Sequence, residues 1–293
     1  MGVADWFSAF CTSIRIGTDL RSSIAYRTKR ITKQLNMDSR SSSSDTANSF
    51  YAGSYGRSTA VPSVSDIDLV YVLPYEVYEQ HDKLKGNKQS TLLQAVRNTI
   101  RKTYPTSAIS GDGQVVAIVF NDGITYEILP AFLNKDGSYT YPDSNNGGSW
   151  KVCKPKHELD AFLTRNAECN GNLVELGRMA RAWRDYNNVP MSGMLIDTLA
   201  YQFIAAWSHR DKSYLYYDYL TRDFFNFLAA QSEAQTYWLA PGSNSYVWRK
   251  GKFEYKARQA ELRALEAIEH QANNREWSAK QKFREIYGTA FPD

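Results

Sequence analysis

The sequence predicts a mixed α+β protein with two lobes, because its two halves carry different hydrophobic patterns. In the first half, short segments that alternate apolar and polar residues are typical of strands, and they lie between helical patterns. From Lys156 onward, helical periodicity dominates. Gly, Asn, Ser and Pro are frequent in residues 137–150, as expected of a crossing between lobes. We therefore expect residues 1–145 to form the first lobe and residues 146–293 to form a helical second lobe.

The first lobe is predicted to begin with one long helix of about 35 residues that spans both lobes. Apolar residues such as Ile24 and Ile31 recur there at helical spacing. The polar stretch 36–48 contains four consecutive serines and predicts a loop. The alternating segment 66–73 then predicts a strand.

An amphipathic segment, 89–104, predicts the next helix, and two apolar strands follow it. These strands, 114–120 and 124–132, flank Asn121-Asp122-Gly123, which is a strong signal for a hairpin turn. The first lobe is therefore expected to contain an antiparallel strand pair after this helix. The helices predicted for the second half are 157–168, 173–187, 195–207, 219–231 and 255–271.

The composition is that of a folded, globular protein. Hydrophobic residues make up 43% and charged residues 23% of the chain, which excludes an intrinsically disordered or collagen-like protein. The net charge of +4 is too small to indicate a histone-like coat for nucleic acid. No apolar run approaches the roughly 18 residues that a membrane span needs. The three cysteines are far apart and the four histidines are scattered, which disfavours a disulfide framework and a zinc site. We expect a cytoplasmic protein that requires neither a membrane nor nucleic acid.

Two aspartates on the predicted strand 66–73 indicate a metal site. Residues two apart in a strand face the same side, so Asp66 and Asp68 project together. Carboxylates this close repel each other and raise each other's pKa unless a cation lies between them. A divalent ion that prefers oxygen ligands, such as Mg²⁺, removes that repulsion. Glu127, in the middle of strand 124–132, is a candidate third ligand if the two strands are neighbours.

A glycine-serine turn precedes the aspartates. Gly53 and Ser54 lie about a dozen residues before Asp66. Glycine lets the backbone approach a phosphate closely, and backbone N–H groups together with the Ser54 hydroxyl can bind a triphosphate. Each signal is weak alone, because most Gly-Ser pairs are ordinary turns and most Asp-x-Asp pairs lie on solvated strand edges. Their occurrence together and in this order favours a site for a nucleoside triphosphate and metal.

The stretch GSYGRSTAVPSVSDIDL (residues 53–69) resembles the nucleotidyltransferase signature in the form typical of the CD-NTases, the relatives of cyclic GMP-AMP synthase. EILPAF (127–132) resembles their third-carboxylate strand, and LVELGRMARAWRDYN, PGSNSYVW and FREIYGTAFP are similar to later segments of the family. The resemblance implies a bilobed fold, with a Pol-β-like nucleotidyltransferase lobe built on a mixed β-sheet and a helical C-terminal lobe. It also implies two Mg²⁺ ions, for which Mn²⁺ can substitute, held by the catalytic residues Asp66, Asp68 and Glu127. Aspartate is commoner than glutamate at the last of these positions.

The resemblance also assigns residues to the substrate. It implies that Gly53, Ser54 and Ser65 bind the triphosphate, and that Ser192 contacts the phosphates.

One basic position of the family is ambiguous in this sequence. Arg181 stands where the family usually has a triphosphate-binding lysine, and an arginine there keeps the charge and gains bidentate geometry. Arg178 and Arg184 lie one helical turn away, and the assignment could shift to either of them. The alternative for all three is a solvated basic helix face.

By this resemblance, the protein joins nucleoside triphosphates, ATP among them, into a cyclic di- or trinucleotide second messenger. In the family such products activate an effector protein in antiphage defence, and some members respond to HORMA-type regulators. Two other functions remain open. One is nucleotidyl transfer to an RNA 3′-end or to a protein, for which no appended RNA-binding module is visible. The other is a non-catalytic nucleotide sensor, which the intact carboxylates and Gly-Ser turn disfavour.

Overall fold

The structure is a computed structural model that describes residues 2–293, so Met1, the first residue of the predicted first lobe, lies outside the described residues. The chain divides into two compact units. Residues 16–57 and 63–159 form one of them, which we call the sheet unit. The other unit, which we call the helical unit, comprises residues 2–15, 58–62 and 160–293.

Strands and helices are mixed up to residue 153, and helices dominate after it. The helices are α1 (Val3–Ser13), α2 (Thr18–Arg40), α3 (Gly53–Gly56), α4 (Tyr75–Asp82), α5 (Lys88–Thr103), α6 (Pro155–Glu168), α7 (Asn172–Asn187), α8 (Gly193–Ala206), α9 (Tyr217–Ala229), α10 (Glu254–Ala272) and α11 (Glu276–Tyr287). The strands are β1 (Ser49–Tyr51), β2 (Asp66–Val72), β3 (Ala108–Asp112), β4 (Val115–Val119), β5 (Thr125–Leu133), β6 (Tyr139–Asp143), β7 (Ser149–Cys153), β8 (Tyr237–Leu239) and β9 (Tyr246–Trp248).

The prediction of one long N-terminal helix is wrong, because the chain forms two helices there. α1 ends at Ser13 and α2 begins at Thr18. Gly17 precedes α2 with an extended backbone (φ −64°, ψ 161°), and glycine has a low helix propensity. Phe7 of α1 is buried in the core of the helical unit, whereas Ile24 of α2 is buried in the core of the sheet unit. Each unit therefore receives its own N-terminal helix.

The sheet of the sheet unit has the strand order β1-β2-β5-β4-β3, with β6 beside β5 and β7 beside β6. β2 and β5 run parallel, and the other neighbouring strands run antiparallel. The predicted hairpin around Gly123 is confirmed as β4 and β5. β7 follows the lobe boundary predicted at residue 145, but it pairs with β6, and the sheet unit extends to Leu159.

One face of this sheet is buried and the other carries the acidic residues. Ile67, Leu69 and Ile128 are at most 1% exposed, and they belong to the same apolar cluster as residues of α2 and α5. Successive residues of a strand face opposite sides, so Asp68 and Glu127 project from the other face. The alternation of apolar and acidic residues in β2 thus separates the core from the candidate site.

The helical unit has an aromatic core. Trp183 and Phe225 are each 1% exposed, and their ring centroids lie 4.8 Å apart. The ring of Phe7 from α1 lies 5.0 Å from the ring of Phe283 in α11. Among residues 2–293, no helix is both long enough and apolar enough to cross a membrane.

Candidate active site

The three predicted carboxylates lie on two neighbouring strands of the sheet unit. β2 and β5 pair in parallel, with Asp66 opposite Thr125 and Asp68 opposite Glu127. This register places the three acidic side chains on one face of the sheet. Asp66 is exposed, and Asp68 and Glu127 are half-buried. The strand adjacency that the sequence left conditional is therefore present in the structure.

The carboxylates influence one another electrostatically. Burial raises the pKa of Asp68, the Arg57 guanidinium partly opposes this, and the charge of Asp66 adds to it. Burial also raises the pKa of Glu127, and the charges of Asp68 and Asp66 raise it further. Burial is the larger cause of both pKa shifts, and the neighbouring carboxylates add to it, so the ionised forms are disfavoured where a cation would compensate them.

The glycine-serine turn lies directly against one of these carboxylates. Gly53 begins α3 with φ +56°, in the left-handed region that favours glycine. A Cβ atom added at Gly53 would lie 1.7 Å from Oδ2 of Asp68, so a side chain does not fit there. The Ala52 amide donates a hydrogen bond of 2.9 Å to the Asp68 carbonyl. The turn that is predicted to bind phosphates is thus held at the strand that carries the aspartates.

Ser54 and Ser65, which are predicted to bind the triphosphate, lie in α3 and immediately before β2. Ser54 is half-buried in the turn of α3. Ser65 is exposed and precedes Asp66, and its carbonyl accepts a hydrogen bond of 2.7 Å from the Thr125 amide. That bond fixes the start of β2 against the start of β5.

The chemistry of these donors fits a magnesium ion. Among the described residues, no group of three or more His, Cys, Asp or Glu side chains is arranged so that it could hold a metal ion. Mg²⁺ does not require such a group, because it is usually bound by one or two carboxylates together with water and substrate phosphates. Asp66 and Asp68 supply those carboxylates, and Glu127 lies on the adjacent strand.

Arg181, which is predicted to contact a triphosphate, is buried in the structure. It lies in α7 of the helical unit and is 3% exposed. Its Nη1 and Nη2 donate to Oδ1 and Oδ2 of Asp197 at 2.6 and 2.8 Å, which forms a buried bidentate ion pair. The same two nitrogens donate to the carbonyls of Gly177 and Gly193 at 3.0 and 3.1 Å. Four of the five N–H donors are therefore used inside the helical unit.

The other two arginines of α7 also have acidic partners in the helical unit. Arg178 lies 3.3 Å from Glu175, which also pairs with Arg15. Arg184 pairs with Asp185 at 2.7 Å near the surface.

Ser192 has a structural role at the start of a helix. It is the N-cap residue of α8, and its hydroxyl accepts a hydrogen bond of 3.1 Å from the Leu195 amide. Such a cap stabilises the first turn of a helix.

Sequence reasoning missed Asp197 and Thr59. The Thr59 hydroxyl donates to Oδ2 of Asp197 at 3.1 Å, and both residues are fully buried. Thr59 belongs to residues 58–62, which are part of the helical unit although Gly53 and Asp66 on either side belong to the sheet unit. The available signal was an aspartate in the mainly apolar α8 segment LIDTLAYQF, which carries no other charged residue.

A family model agrees with this site. The model of the Second Messenger Oligonucleotide or Dinucleotide Synthetase (SMODS) domain matches residues 1–166, which is more than half of the chain. The chain belongs to this family. It is a nucleotidyltransferase that synthesises an oligonucleotide or dinucleotide second messenger, and the predicted CD-NTase relationship is confirmed. None of the curated proteins matches the sequence.

Solved structures of CD-NTases share the fold of this SMODS protein. Escherichia coli MS115-1 CdnC with ATP is 14% identical, with a TM-score of 0.71 over 99% of both chains. Vibrio cholerae DncV, a cyclic AMP-GMP synthase, is 12% identical, with a TM-score of 0.66 over 100% of this chain and 98% of its own. Bradyrhizobium diazoefficiens CdnG in complex with GTP is 12% identical, with a TM-score of 0.64 over 97% of this chain and 94% of its own. The predicted fold class, a nucleotidyltransferase lobe with a mixed sheet and a helical C-terminal part, is confirmed.

Proposed function

We propose that this SMODS protein joins nucleoside triphosphates into a cyclic di- or trinucleotide, with Asp66, Asp68 and Glu127 as its catalytic residues. The observation that carries the proposal is the register of β2 and β5, which sets Asp68 opposite Glu127, together with the contact of Gly53 with Asp68. A phosphate-binding turn and a carboxylate cluster in contact form a site for a triphosphate and its metal ions.

The carboxylates would hold two Mg²⁺ ions, for which Mn²⁺ can substitute. Their donor chemistry fits these ions, and the raised pKa values of Asp68 and Glu127 indicate charge that a cation would compensate. When bound, the ions supply activation of the attacking hydroxyl and neutralisation of charge on the phosphates.

The Gly-Ser turn would bind and orient the donor triphosphate. The absence of a side chain at Gly53 would let the backbone approach a phosphate. In this proposal, Ser54, which is half-buried, and Ser65, which is exposed, would donate hydrogen bonds to the same phosphate. A ribose hydroxyl of a second nucleotide attacks the α-phosphorus and loses its proton. The bond from that phosphorus to the bridging oxygen breaks, and pyrophosphate leaves. A second transfer of the same kind closes the ring.

The partners of this SMODS protein are proposed from its relatives. One structure of CdnC contains ATP and another is a complex of CdnC with HORMA-deltaN, while CdnG is in complex with GTP. We accordingly propose ATP as one substrate, a HORMA-type protein as a regulator and a product-activated effector in antiphage defence. A cytoplasmic location, without a need for a membrane or nucleic acid, remains a prediction of the sequence.

Incubation with each radiolabelled nucleoside triphosphate and Mg²⁺ or Mn²⁺, followed by phosphatase treatment, tests the proposal. A label that resists phosphatase indicates a cyclic product and supports it. Phosphatase-sensitive label, or a ladder on added RNA, would instead indicate a linear product or transfer to an RNA 3′-end. Binding of a triphosphate without any new product would indicate a sensor.

A further inference from the structure

The hairpin of β8 and β9 in the helical unit has one buried face and one exposed face. Trp238 and Val247 are opposite each other and are 4% and 7% exposed, so this face packs into the core. The other face is apolar but open to solvent. Its four residues, between 40% and 60% exposed, are Tyr237, Leu239, Tyr246 and Trp248.

The aromatic rings on the exposed face pack against one another. The ring centroid of Tyr237 lies 4.7 Å from that of Tyr246 and 5.5 Å from that of Trp248, and both contacts are edge-to-face. Such mutual packing limits the freedom of the side chains, so that less entropy is lost when a partner covers them. Tyrosine and tryptophan are also the residues that most often dominate the free energy of protein interfaces.

The backbone of β8 has an open edge. Arg249 donates to the Thr236 carbonyl at 2.8 Å, and Ala240 donates to the Ser245 carbonyl at 2.9 Å. In an antiparallel pair, hydrogen-bonded and non-hydrogen-bonded residue pairs alternate. Thr236 and Ala240 are hydrogen-bonded positions in this alternation, so Tyr237 and Leu239 are non-hydrogen-bonded positions. The N–H and C=O groups of Leu239 therefore point away from β9.

Leu239 is the open position on that edge. Within the part of the chain that the structure describes, no hydrogen bond is made by its amide or its carbonyl. The backbone groups of Tyr237 also point away from β9, but its carbonyl accepts a hydrogen bond of 2.9 Å from the Gln235 side chain. An edge strand with unpaired backbone groups is a template for pairing with another extended segment.

A groove is lined on one side by Tyr237, Trp238 and Leu239 of β8. It has a volume of about 400 Å³, and opposite β8 it is lined by Gln202, Phe227 and Gln231. Gln202 and Phe227 also line an adjoining pocket of about 450 Å³, which Phe203 and Trp207 extend. A lining that combines the ring of Phe227 with the amide side chains of Gln202 and Gln231 suits an extended peptide, which carries both apolar side chains and backbone hydrogen-bonding groups.

Basic residues follow β9 in the chain. Residues 234–252 contain three basic residues and no acidic residue. Arg249 and Lys252 pair with Glu254 and Glu233, each at 2.6 Å. Lys250 is exposed and makes no ion pair with any described residue. Lys250 follows Arg249, whose amide donates to the Thr236 carbonyl at 2.8 Å, so the Lys250 backbone lies beyond the Tyr237 end of β8.

We propose that the open edge of β8 binds an extended segment of a partner protein, which adds a strand beside Leu239. The segment carries apolar residues at alternate positions, which contact the aromatic face and the groove, and an acidic residue at the end nearest Tyr237, which complements Lys250. Strand addition of this kind obtains affinity from backbone hydrogen bonds and specificity from side-chain pockets.

The test uses the full chain and a display library of random linear peptides. Peptides selected on the wild type should alternate apolar and polar residues and include an acidic residue. On binding, the Leu239 amide should become protected from hydrogen exchange. Leu239→Pro removes an amide that makes no hydrogen bond in the free protein, and it should weaken the selected peptides by at least about tenfold.

Matched variants separate strand addition from loss of folding. Trp248→Ala changes a side chain and leaves the backbone edge intact, and it should weaken binding by about tenfold. Tyr255→Ala, at an aromatic residue that is 75% exposed on α10, should bind like the wild type. If Leu239→Pro fails to fold, exchange protection at Leu239 and the Trp248→Ala result decide the question.

Several results would overturn the proposal. Selected peptides that leave the Leu239 amide unprotected, or that bind Trp248→Ala as tightly as the wild type, would contradict strand addition at β8. Self-association of the free protein in sedimentation that Trp248→Ala abolishes would identify a second copy as the occupant. A labelled single-stranded oligonucleotide that binds through Trp248 while no peptide is enriched would identify the face as a nucleic-acid platform.

Discussion

The buried ion pair between Arg181 and Asp197 offers a sharp test of how the helical unit is built. If Arg181 binds a triphosphate, as the sequence suggested, its removal should raise the KM for the triphosphate and leave the stability of the protein largely unchanged. If it serves the core, as its burial and its four hydrogen bonds indicate, its removal should destabilise the fold. Asp197→Ala is the more informative change, because it leaves a guanidinium that is 3% exposed without its counterion.

The expected loss follows from the desolvation of that charge. Breaking a buried pair by removal of one partner costs about 3–5 kcal/mol, because the remaining charge is uncompensated. For proteins of this size, 1 kcal/mol corresponds to about 2–4 °C in Tm, so Asp197→Ala should lower Tm by about 6–20 °C. Arg181→Ala should fall in the same range, because it leaves the fully buried Asp197 carboxylate without its guanidinium counterion.

Thermal unfolding of purified variants, with circular dichroism as the readout, measures these losses. Arg184→Ala is the matched control, since its pair with Asp185 is partly exposed and should be worth about 0–1 kcal/mol. The double variant Arg181→Ala with Asp197→Ala should lose less than the sum of the two single losses, because neither charge is left alone. Single variants of the pair that unfold within about 2 °C of the wild type, while the KM for triphosphate rises, would refute the structural role.

Three further predictions concern the candidate active site. Gly53→Ala should lower product formation by about a hundredfold, because its methyl group would lie 1.7 Å from Oδ2 of Asp68. The control Gly86→Ala is also at positive φ, but nothing lies within 4 Å of its added methyl group, and it should remain active in the same product assay. Ser54→Ala should raise the KM for triphosphate by about tenfold without a change in Tm, and an unchanged KM would count against a phosphate contact. Glu127→Asp should keep part of the activity because it keeps the charge, while Glu127→Gln should lose it; equal turnover by the two would contradict a ligand role.

Much of the sheet unit could be predicted because its signals are local. The strand predicted at 66–73 is β2, and the helix predicted at 89–104 is α5. The hairpin turn at Gly123 was visible from its three residues alone. Period-two alternation in β2 was sufficient to place Asp66 and Asp68 on one face, because that periodicity is a property of the strand itself.

What the sequence could not provide depends on contacts between distant residues. The adjacency of β2 and β5 is set by pairing across about 60 residues, so the position of Glu127 remained conditional. Arg181 looked available for substrate because its partner, Asp197, lies on another helix that packs beside it only in the folded chain. The break after Ser13 depended on the different cores that receive α1 and α2, and helical periodicity alone does not report that difference.

Thermal unfolding and product formation by Asp68→Asn test the central proposal most directly. The substitution keeps the shape of the side chain and removes a charge that burial and Asp66 already disfavour, so the ligand-free variant should unfold at the same temperature as the wild type or slightly above it. With Mg²⁺ and nucleoside triphosphate, the wild type should gain stability and form the phosphatase-resistant product. Asp68→Asn should gain little stability and form almost no product. A variant that unfolds without ligand, or that forms the product at nearly the rate of the wild type, would show that Asp68 is not a catalytic metal ligand.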